Sequence, residues 1–396
     1  MMTDFSKTRQ AFDLPDGVTY LDGNSLGPMP VGAAQRVARM MTEEWSQMLI
    51  TGWNKAGWYT QPRRVADRIA RLVGAGPGQV VMGDTLSIKV FQAVSAARAL
   101  RPDRRVILSD RGNFPSDLYV AQGLARAVDA ELRVVEPEEV EAAITKDIAV
   151  LMITEVDYRT GRRHDMKALT RKAHEMGALT VWDLAHSAGA VDVALLDADA
   201  DFAVGCTYKY LNGGPGSPAF IWTHPRHADA AQPILQGWMG HRAPFDFDLA
   251  YQPAAGIERM RVGTPPVIAL TALDAALDVW DDVSLTDLRA RSIELTQAFI
   301  AGVEANCPEV VLHSPRDPQQ RGSQVGFRHP QAYAVMQALI DQKIIGDFRA
   351  PDVLRFGFAP LYNGLDDVAR AVDGLTRILR DRLWDREDYM QRADVT

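Results

Sequence analysis

The chain has 396 residues, 47% of them hydrophobic and 24% charged, with a formal net charge of -8; that length buries a large core and leaves room for a second, smaller unit. The acidic balance, with no block of lysine and arginine, argues against a nucleic-acid partner, because such proteins show a basic face to phosphate. Two cysteines, Cys206 and Cys307, lie in unlike contexts, so neither a disulfide framework nor a metal centre is expected; with no signal region and no bilayer-length apolar stretch, a cytoplasmic protein without a membrane partner is the simplest reading.

The first 50 residues form an N-terminal segment, helical over Val31–Ile50, that packs against the main units. From 51 to 266, short apolar runs alternate with helical patterns, the signature of an α/β layered domain. Seven strands are predicted: Gln79–Met82, Arg105–Ser109, Leu132–Val135, Ile148–Thr154, Leu179–Asp183, Phe202–Thr207 and Pro218–Thr223. Between them, Ser87–Leu100, Ser116–Ala127 and Met166–Met176 repeat apolar residues every three or four positions, as helices do. After Pro266 the pattern changes to longer helices, Ala269–Trp280 and Leu285–Ala305. Short strands follow near Val310, at Gln324–Arg328 and at Leu354–Phe358, and a last helix runs over Leu365–Leu383. The expected fold is a large α/β domain with a mainly parallel seven-stranded sheet, followed over 267–396 by a smaller α+β domain.

Open α/β sheets bind ligands beyond the carboxyl ends of their strands, so the residues just after each apolar run matter most. Lys209 follows the run 202–206 and precedes the turn Asn212-Gly-Gly-Pro-Gly216, while Asp183 ends an earlier run. A lysine and a carboxylate so placed suit pyridoxal phosphate (PLP): the lysine forms a Schiff base, and the carboxylate keeps the pyridine nitrogen protonated so that the ring accepts carbanion electrons. Gly83-Asp-Thr-Leu-Ser87 opens a helix whose N-terminus can hold a phosphate, although Ser87 alone also reads as an N-cap. Asn113-Phe-Pro-Ser-Asp117 sets Phe114 to stack on a planar ring and Asp117 to reinforce Asp183, or else forms a turn in which Ser116 or Asp117 caps a helix. His186 is placed to donate to the cofactor's phenolate or phosphate. Tyr208 offers a hydroxyl for phosphate binding or proton transfer.

The words Tyr20-Leu-Asp-Gly-Asn-Ser-Leu-Gly27, Asn113-Phe-Pro-Ser-Asp117, Asp183-Leu-Ala-His186, Tyr208-Lys-Tyr-Leu-Asn-Gly-Gly214, Gly237-Trp-Met-Gly-His241, Arg261-Val-Gly-Thr-Pro-Pro266 and Pro360-Leu-Tyr-Asn363 resemble, in order and over nearly the whole chain, those of kynureninase, a PLP enzyme of the aspartate-aminotransferase fold. The resemblance implies that Lys209 carries the cofactor, that Asp183 pairs with the pyridinium and that Phe114, followed by Pro115 and Ser116, covers the ring. It implies that Leu86, Ser87, Tyr208 and Trp238 surround the phosphate, with Thr264 supplied by the partner in a homodimer of composite active sites. Thr154 and Asp157 occupy the stretch that contacts the ring. Asn24 and Ser25, in the first word, fall to the substrate.

Arg355 is assigned to the substrate's α-carboxylate, since its planar fork matches a carboxylate in two parallel hydrogen bonds; the next position on its strand face is Gly357, so no second cation is expected there. The implied reaction converts L-kynurenine and water to anthranilate and L-alanine in tryptophan catabolism, with Lys209 moving the Cα proton and Tyr208 protonating the three-carbon fragment. One departure concerns the aromatic pocket: where animal members carry Gly-His-Glu, this chain reads Thr51-Gly-Trp-Asn54. Trp53 thus offers a flat apolar wall, and the choice between kynurenine and 3-hydroxykynurenine stays open. A cysteine desulfurase or selenocysteine lyase would share the lysine but needs a mobile nucleophilic cysteine. A non-catalytic amino-acid sensor would need an effector module, and the N-terminal segment has no basic recognition helix.

Overall fold

The computed structural model describes residues 2–392. Its centre is a seven-stranded sheet of β1 (Val80–Met82), β2 (Val106–Asp110), β3 (Glu131–Val135), β4 (Ile148–Thr154), β5 (Leu179–Asp183), β6 (Phe202–Gly205) and β7 (Phe220–Thr223), in the spatial order β1-β7-β6-β5-β4-β2-β3. Only β7 runs against the rest, antiparallel to both β1 and β6, so the sheet is mainly parallel as expected. β4, Ile-Ala-Val-Leu-Met-Ile-Thr, is buried at every position, the continuous apolar run of a strand covered on both faces. Alternate residues serve different layers: Leu151 and Ile153 join one core, with Leu108, Trp182 and Trp222, whereas Val150 and Met152 join the other, with Val90 and Leu124.

Register brings the chemistry to one edge. Thr154 pairs with Asp183 and Asp183 with Val204, so β4, β5 and β6 end level, and the loops after them open at the same rim. β6 stops at Gly205, two residues before the expected end, because the chain turns back there, with the Gly213 amide donating to the Thr207 carbonyl at 2.8 Å. The helices Leu86–Ala99 and Pro115–Ala127 begin at that rim, the second with proline in its first turn, where the missing N–H costs no helical bond.

The smaller unit carries an antiparallel sheet of β8 (Val311–Leu312), β9 (Gln324–Arg328), β10 (Asp347–Arg349) and β11 (Val353–Gly357), in the order β10-β11-β9-β8. It packs on the helices Leu285–Asn306, Ala332–Asp341 and Leu365–Arg380 through Phe299, Phe327, Leu339, Phe356 and Leu375. The change of core comes later than the change of sequence pattern at 266: Leu270, Leu273, Leu277 and Trp280 still pack in the large core, and Leu295 is the first residue of its helix in the small one. The N-terminal helix is not one straight rod. It is α-helical over Ala33–Arg39, widens to a π turn over Met40–Trp45 and ends in a 3-10 turn over Leu49–Thr51. A two-residue parallel pairing, Thr19–Tyr20 with Ile344–Ile345, ties the N-terminal segment to the smaller unit.

Candidate active site

At the rim, a cavity of about 270 Å³ is lined by Lys209, Asp183, Asp117, His186, Phe114 and Tyr208, with Leu86, Ser87, Ser116 and Thr154 among its other walls. Lys209 Nζ lies 2.8 Å from His186 Nε2, 5.9 Å from the centroid of Phe114 and 5.8 Å from that of Tyr208. Burial lowers the lysine's pKa, which favours a neutral, nucleophilic amine. The partly exposed Phe114 ring is held edge-on by Tyr158 at 5.2 Å, so one face stays open to the cavity.

Two carboxyls also line the cavity. Asp183 Oδ1 accepts the Ala185 amide at 2.9 Å, and burial raises its pKa to about 6 against the pull of Lys209. Asp117 is raised well above the usual range, by burial first and by the Asp183 charge second, and its buried Oδ2 has no partner except through a proton shared with the Asp183 carboxyl. Holding two adjacent buried carboxyls together as anions is costly. A protonated ring nitrogen facing this pair would relieve that cost, so the site fits a pyridinium.

At the other end, the helix Leu86–Ala99 starts beside the cavity with no side-chain cap on its first turn, and Ser87 Oγ lies 3.0 Å from Ser116 Oγ. Uncapped amides, the helix dipole and two hydroxyls make an anion site suited to a phosphate. Pro115 starts its helix and is not a wall of the cavity. Thr154 lines it, but its hydroxyl donates back to the Val156 carbonyl at 3.1 Å. Asp157 is turned away: Oδ1 accepts the Arg159 and Thr160 amides at 2.7 and 2.8 Å, and the neighbouring Tyr158 reaches the cavity instead.

Next to the cavity lies a buried charged cluster. Arg355 is fully enclosed; Nε donates to Asp347 Oδ1 at 2.7 Å, Nη2 donates to Ser25 Oγ at 2.8 Å and to Asp347 Oδ2, and Nη1 donates to the Tyr158 carbonyl. The expectation of no second cation holds for Arg355's own strand and fails for the next one. Arg349, two residues from Asp347 and so on the same face of β10, donates to Asp347 Oδ2 at 2.7 Å and has a buried Nε without a partner. Asp22, buried close by, is pushed up to about 7 by burial and by the Asp347 charge. Asn24 is buried against Gly357 with both amide atoms unpartnered, and a Cβ on that glycine would meet Asn24 Oδ1 at 1.8 Å.

A family model described as the kynureninase C-terminal domain matches residues 288–375. The chain is 48% identical to a kynureninase of Pseudomonas fluorescens over 98% of its own length and 95% of the relative's, and 52% identical to one of Deinococcus radiodurans over 94% and 92%. The chain belongs to the kynureninase family. Among solved structures, cysteine desulfurases from Thermococcus onnurineus NA1 and Escherichia coli superpose with TM-scores of 0.79 at 20% and 19% identity; each alignment covers 96% of this chain and 99% of the other. At that identity the likeness is one of fold.

The two cysteines of this chain offer no exposed nucleophile. Cys206 borders the cavity, but it is buried, its thiol pKa is raised by burial, and its Sγ lies 3.8 Å from the Ala185 carbonyl. Cys307 is buried in the smaller unit, 3.3 Å from Thr376 Oγ1. Neither is a mobile thiolate. Trp238, Thr264 and Trp53, also expected at the site, line neither the cavity nor the charged cluster beside it. Trp238 is 40% exposed and meets Phe245 edge-on at 5.7 Å. Thr264 is exposed beside a small crevice shared with Asp84, and Trp53 packs edge-on against Trp58 at 6.2 Å. Tyr158, Gln324, Asp347 and Arg349 were not legible as site residues; only the spacing Asp347-x-Arg349 carried a signal, two charges on one strand face. Among the described residues no cluster suited to a metal ion occurs, and no helix is long and apolar enough to cross a membrane.

Proposed function

We propose that this chain carries PLP on Lys209 and hydrolyses the Cβ–Cγ bond of L-kynurenine, giving anthranilate and L-alanine. The observation behind this reading is the buried pair Asp117 and Asp183 sharing with Lys209 a cavity that ends at an uncapped helix, in a chain about half identical to named kynureninases over nearly its whole length. Bound there, PLP supplies an electron sink for carbanions formed at the substrate's α and β carbons.

The chain's own groups do the rest. Asp183 and Asp117 hold a proton at the ring nitrogen. Lys209 would take the Cα proton on Nζ, an amine whose pKa burial lowers. The Tyr208 hydroxyl, whose pKa is raised by its Cys206 neighbour and by burial, stays protonated and can deliver a proton to the three-carbon fragment. Arg355, with Arg349 beside it, receives the α-carboxylate, and Asn24 and Ser25 border that subsite. Water adds to the side-chain ketone, and the aroyl group leaves as anthranilate.

We further propose a homodimer in which Trp238 and Thr264 reach the partner's phosphate site and Trp53 the partner's aromatic pocket, with unhydroxylated kynurenine preferred. The test is to load purified protein with PLP, supply L-kynurenine and quantify anthranilate and alanine, with L-cysteine as a parallel substrate. Equimolar anthranilate and alanine are expected; sulfide from cysteine without anthranilate from kynurenine would overturn the reading.

A further inference from the structure

Gln324 opens strand β9 of the smaller unit, yet its amide reaches the cofactor rim of the larger one. Nε2 donates to the carbonyls of Asp157 at 2.8 Å and Tyr158 at 3.0 Å, while Oε1 lies 3.0 Å from His186 Nδ1. The orientation of this amide is not free. Reversing it would set its oxygen against two carbonyl oxygens, with no hydrogen between them, so the main chain dictates that Oε1 faces the imidazole. An oxygen there can only accept, and His186 Nδ1 therefore carries a hydrogen.

The other ring nitrogen follows from charge. His186 is buried, and Lys209, Arg355 and Arg349 all lie near enough to disfavour a second proton; burial first and these cations next hold its pKa well below the ordinary histidine value. A neutral imidazole has one N–H, already committed to Gln324. Nε2 thus presents a lone pair, and the group it meets is Lys209 Nζ at 2.8 Å.

We propose that Gln324 is a positioning residue that holds His186 in the Nδ1–H tautomer, so that Nε2 accepts a hydrogen from Lys209 and does not donate to the cofactor. The sequence alone favours the opposite direction, with histidine donating to the phenolate or phosphate. The inference rests on Lys209 being the cofactor lysine only for its catalytic meaning; the tautomer itself follows from the protein's own hydrogen bonds. The anchor is shared, because the Tyr158 carbonyl that receives Gln324 also receives Arg355. The arginine assigned to the substrate carboxylate and the amide that sets the histidine therefore grip one peptide group from the same small sheet, where Gly326, two residues along the strand from Gln324, pairs with Arg355.

The experiment is two-bond proton–nitrogen correlation NMR on protein labelled with nitrogen-15 histidine, in cofactor-free and PLP-loaded forms, with His186 assigned by its loss in His186→Gln. In both wild-type forms His186 should show a protonated Nδ1 and an unprotonated Nε2. Gln324→Met, similar in length but without the acceptor, should lose this pattern and give Nε2–H or a mixture; Gln324→Glu, which still offers an oxygen, should keep Nδ1–H. A wild-type Nε2–H signal would overturn the proposal, as would an unchanged pattern in Gln324→Met. Should the methionine variant not fold, the wild-type spectra still decide. Loading on Lys209 is read separately, from a visible band lost on borohydride reduction, so failure of the cofactor assignment is distinguishable from failure of the tautomer.

Discussion

Arg355 and Asp347 stand directly opposite each other in the β10–β11 register and are joined by two hydrogen bonds, Nε to Oδ1 at 2.7 Å and Nη2 to Oδ2. Both are almost fully enclosed. Burial opposes the Asp347 charge, yet the arginines outweigh it and hold the carboxyl below its usual range. Removing one partner of such a pair leaves a buried charge uncompensated. Asp347→Ala should therefore cost about 3–5 kcal/mol in urea unfolding, and Asp347→Asn, which keeps an acceptor, clearly less. Because the native pKa is depressed, this contribution is present above the ordinary carboxylate value near 4 and fades as pH falls further. Equal stability of wild type and Asp347→Ala at neutral pH would remove the ion pair from the account of the fold.

Asp183 titrates with the opposite sign. Its native pKa of about 6 lies above the unfolded value of 3.8, so the folded, cofactor-free protein binds an extra proton between these limits and loses stability as pH rises through that window. His186, kept neutral by burial, works the other way over part of the same range, so the informative quantity is a difference. The stability of wild type minus that of Asp183→Asn should fall as pH rises from about 4 to about 7. PLP should reduce this slope by giving the carboxylate a cationic partner. Parallel pH dependences in the cofactor-free proteins would show that Asp183 does not titrate there.

Lys209→Ala should abolish the borohydride-sensitive visible band and lower turnover by at least about 1,000-fold, the combined scale of lost nucleophilic and base catalysis, while the urea midpoint moves little or rises, since a buried amine is removed. A reducible adduct at another lysine would displace Lys209 from its role.

The parts of the site legible in the sequence are those that sit at the ends of buried parallel strands. Asp183 closes a wholly buried, mostly apolar run, and Lys209 follows another by three residues; such runs are readable because both sheet faces are covered. Asp347, Arg349 and Gln324 come from the small sheet, whose short strands mix polar and apolar residues, and their meaning lies in pairings across strands and between units that no local pattern carries. The two-residue strand Ile344–Ile345 is too short to show a period. Trp53 reads in the sequence as a pocket wall, and the structure sets it edge-on against Trp58, a contact that residue type alone does not fix.

Arg355→Ala should raise KM for kynurenine by a factor on the order of 10 or more, consistent with about 1.5–3 kcal/mol for hydrogen bonds to a charged group. Arg349→Ala should raise it by a comparable factor, since its buried Nε has no internal partner and is free for a carboxylate. In both variants kcat should change less than KM if the arginines hold ground and transition states alike. An Arg349→Ala enzyme with wild-type KM would leave the carboxylate to Arg355 alone.

Trp238, Thr264 and Trp53 stand outside the cavity of their own chain, and Trp238 lies among exposed apolar residues that include Phe245, Phe247 and Leu249. A soluble monomer seldom exposes such a group without a partner to cover it, and a two-fold dimer would present each loop to the other chain's site. Mixing inactive Lys209→Ala chains with chains inactivated by Thr264→Ala should then restore activity. In a mixed dimer one site combines an intact lysine with an intact partner threonine, and random reassortment makes half of the dimers mixed, so up to about one quarter of wild-type activity per total site is expected. Trp53→His should change the ratio of kcat/KM for kynurenine and 3-hydroxykynurenine, because specificity resides in that ratio. Light scattering that shows an active monomer, or mixtures that stay inactive after confirmed subunit exchange, would confine every catalytic group to one chain.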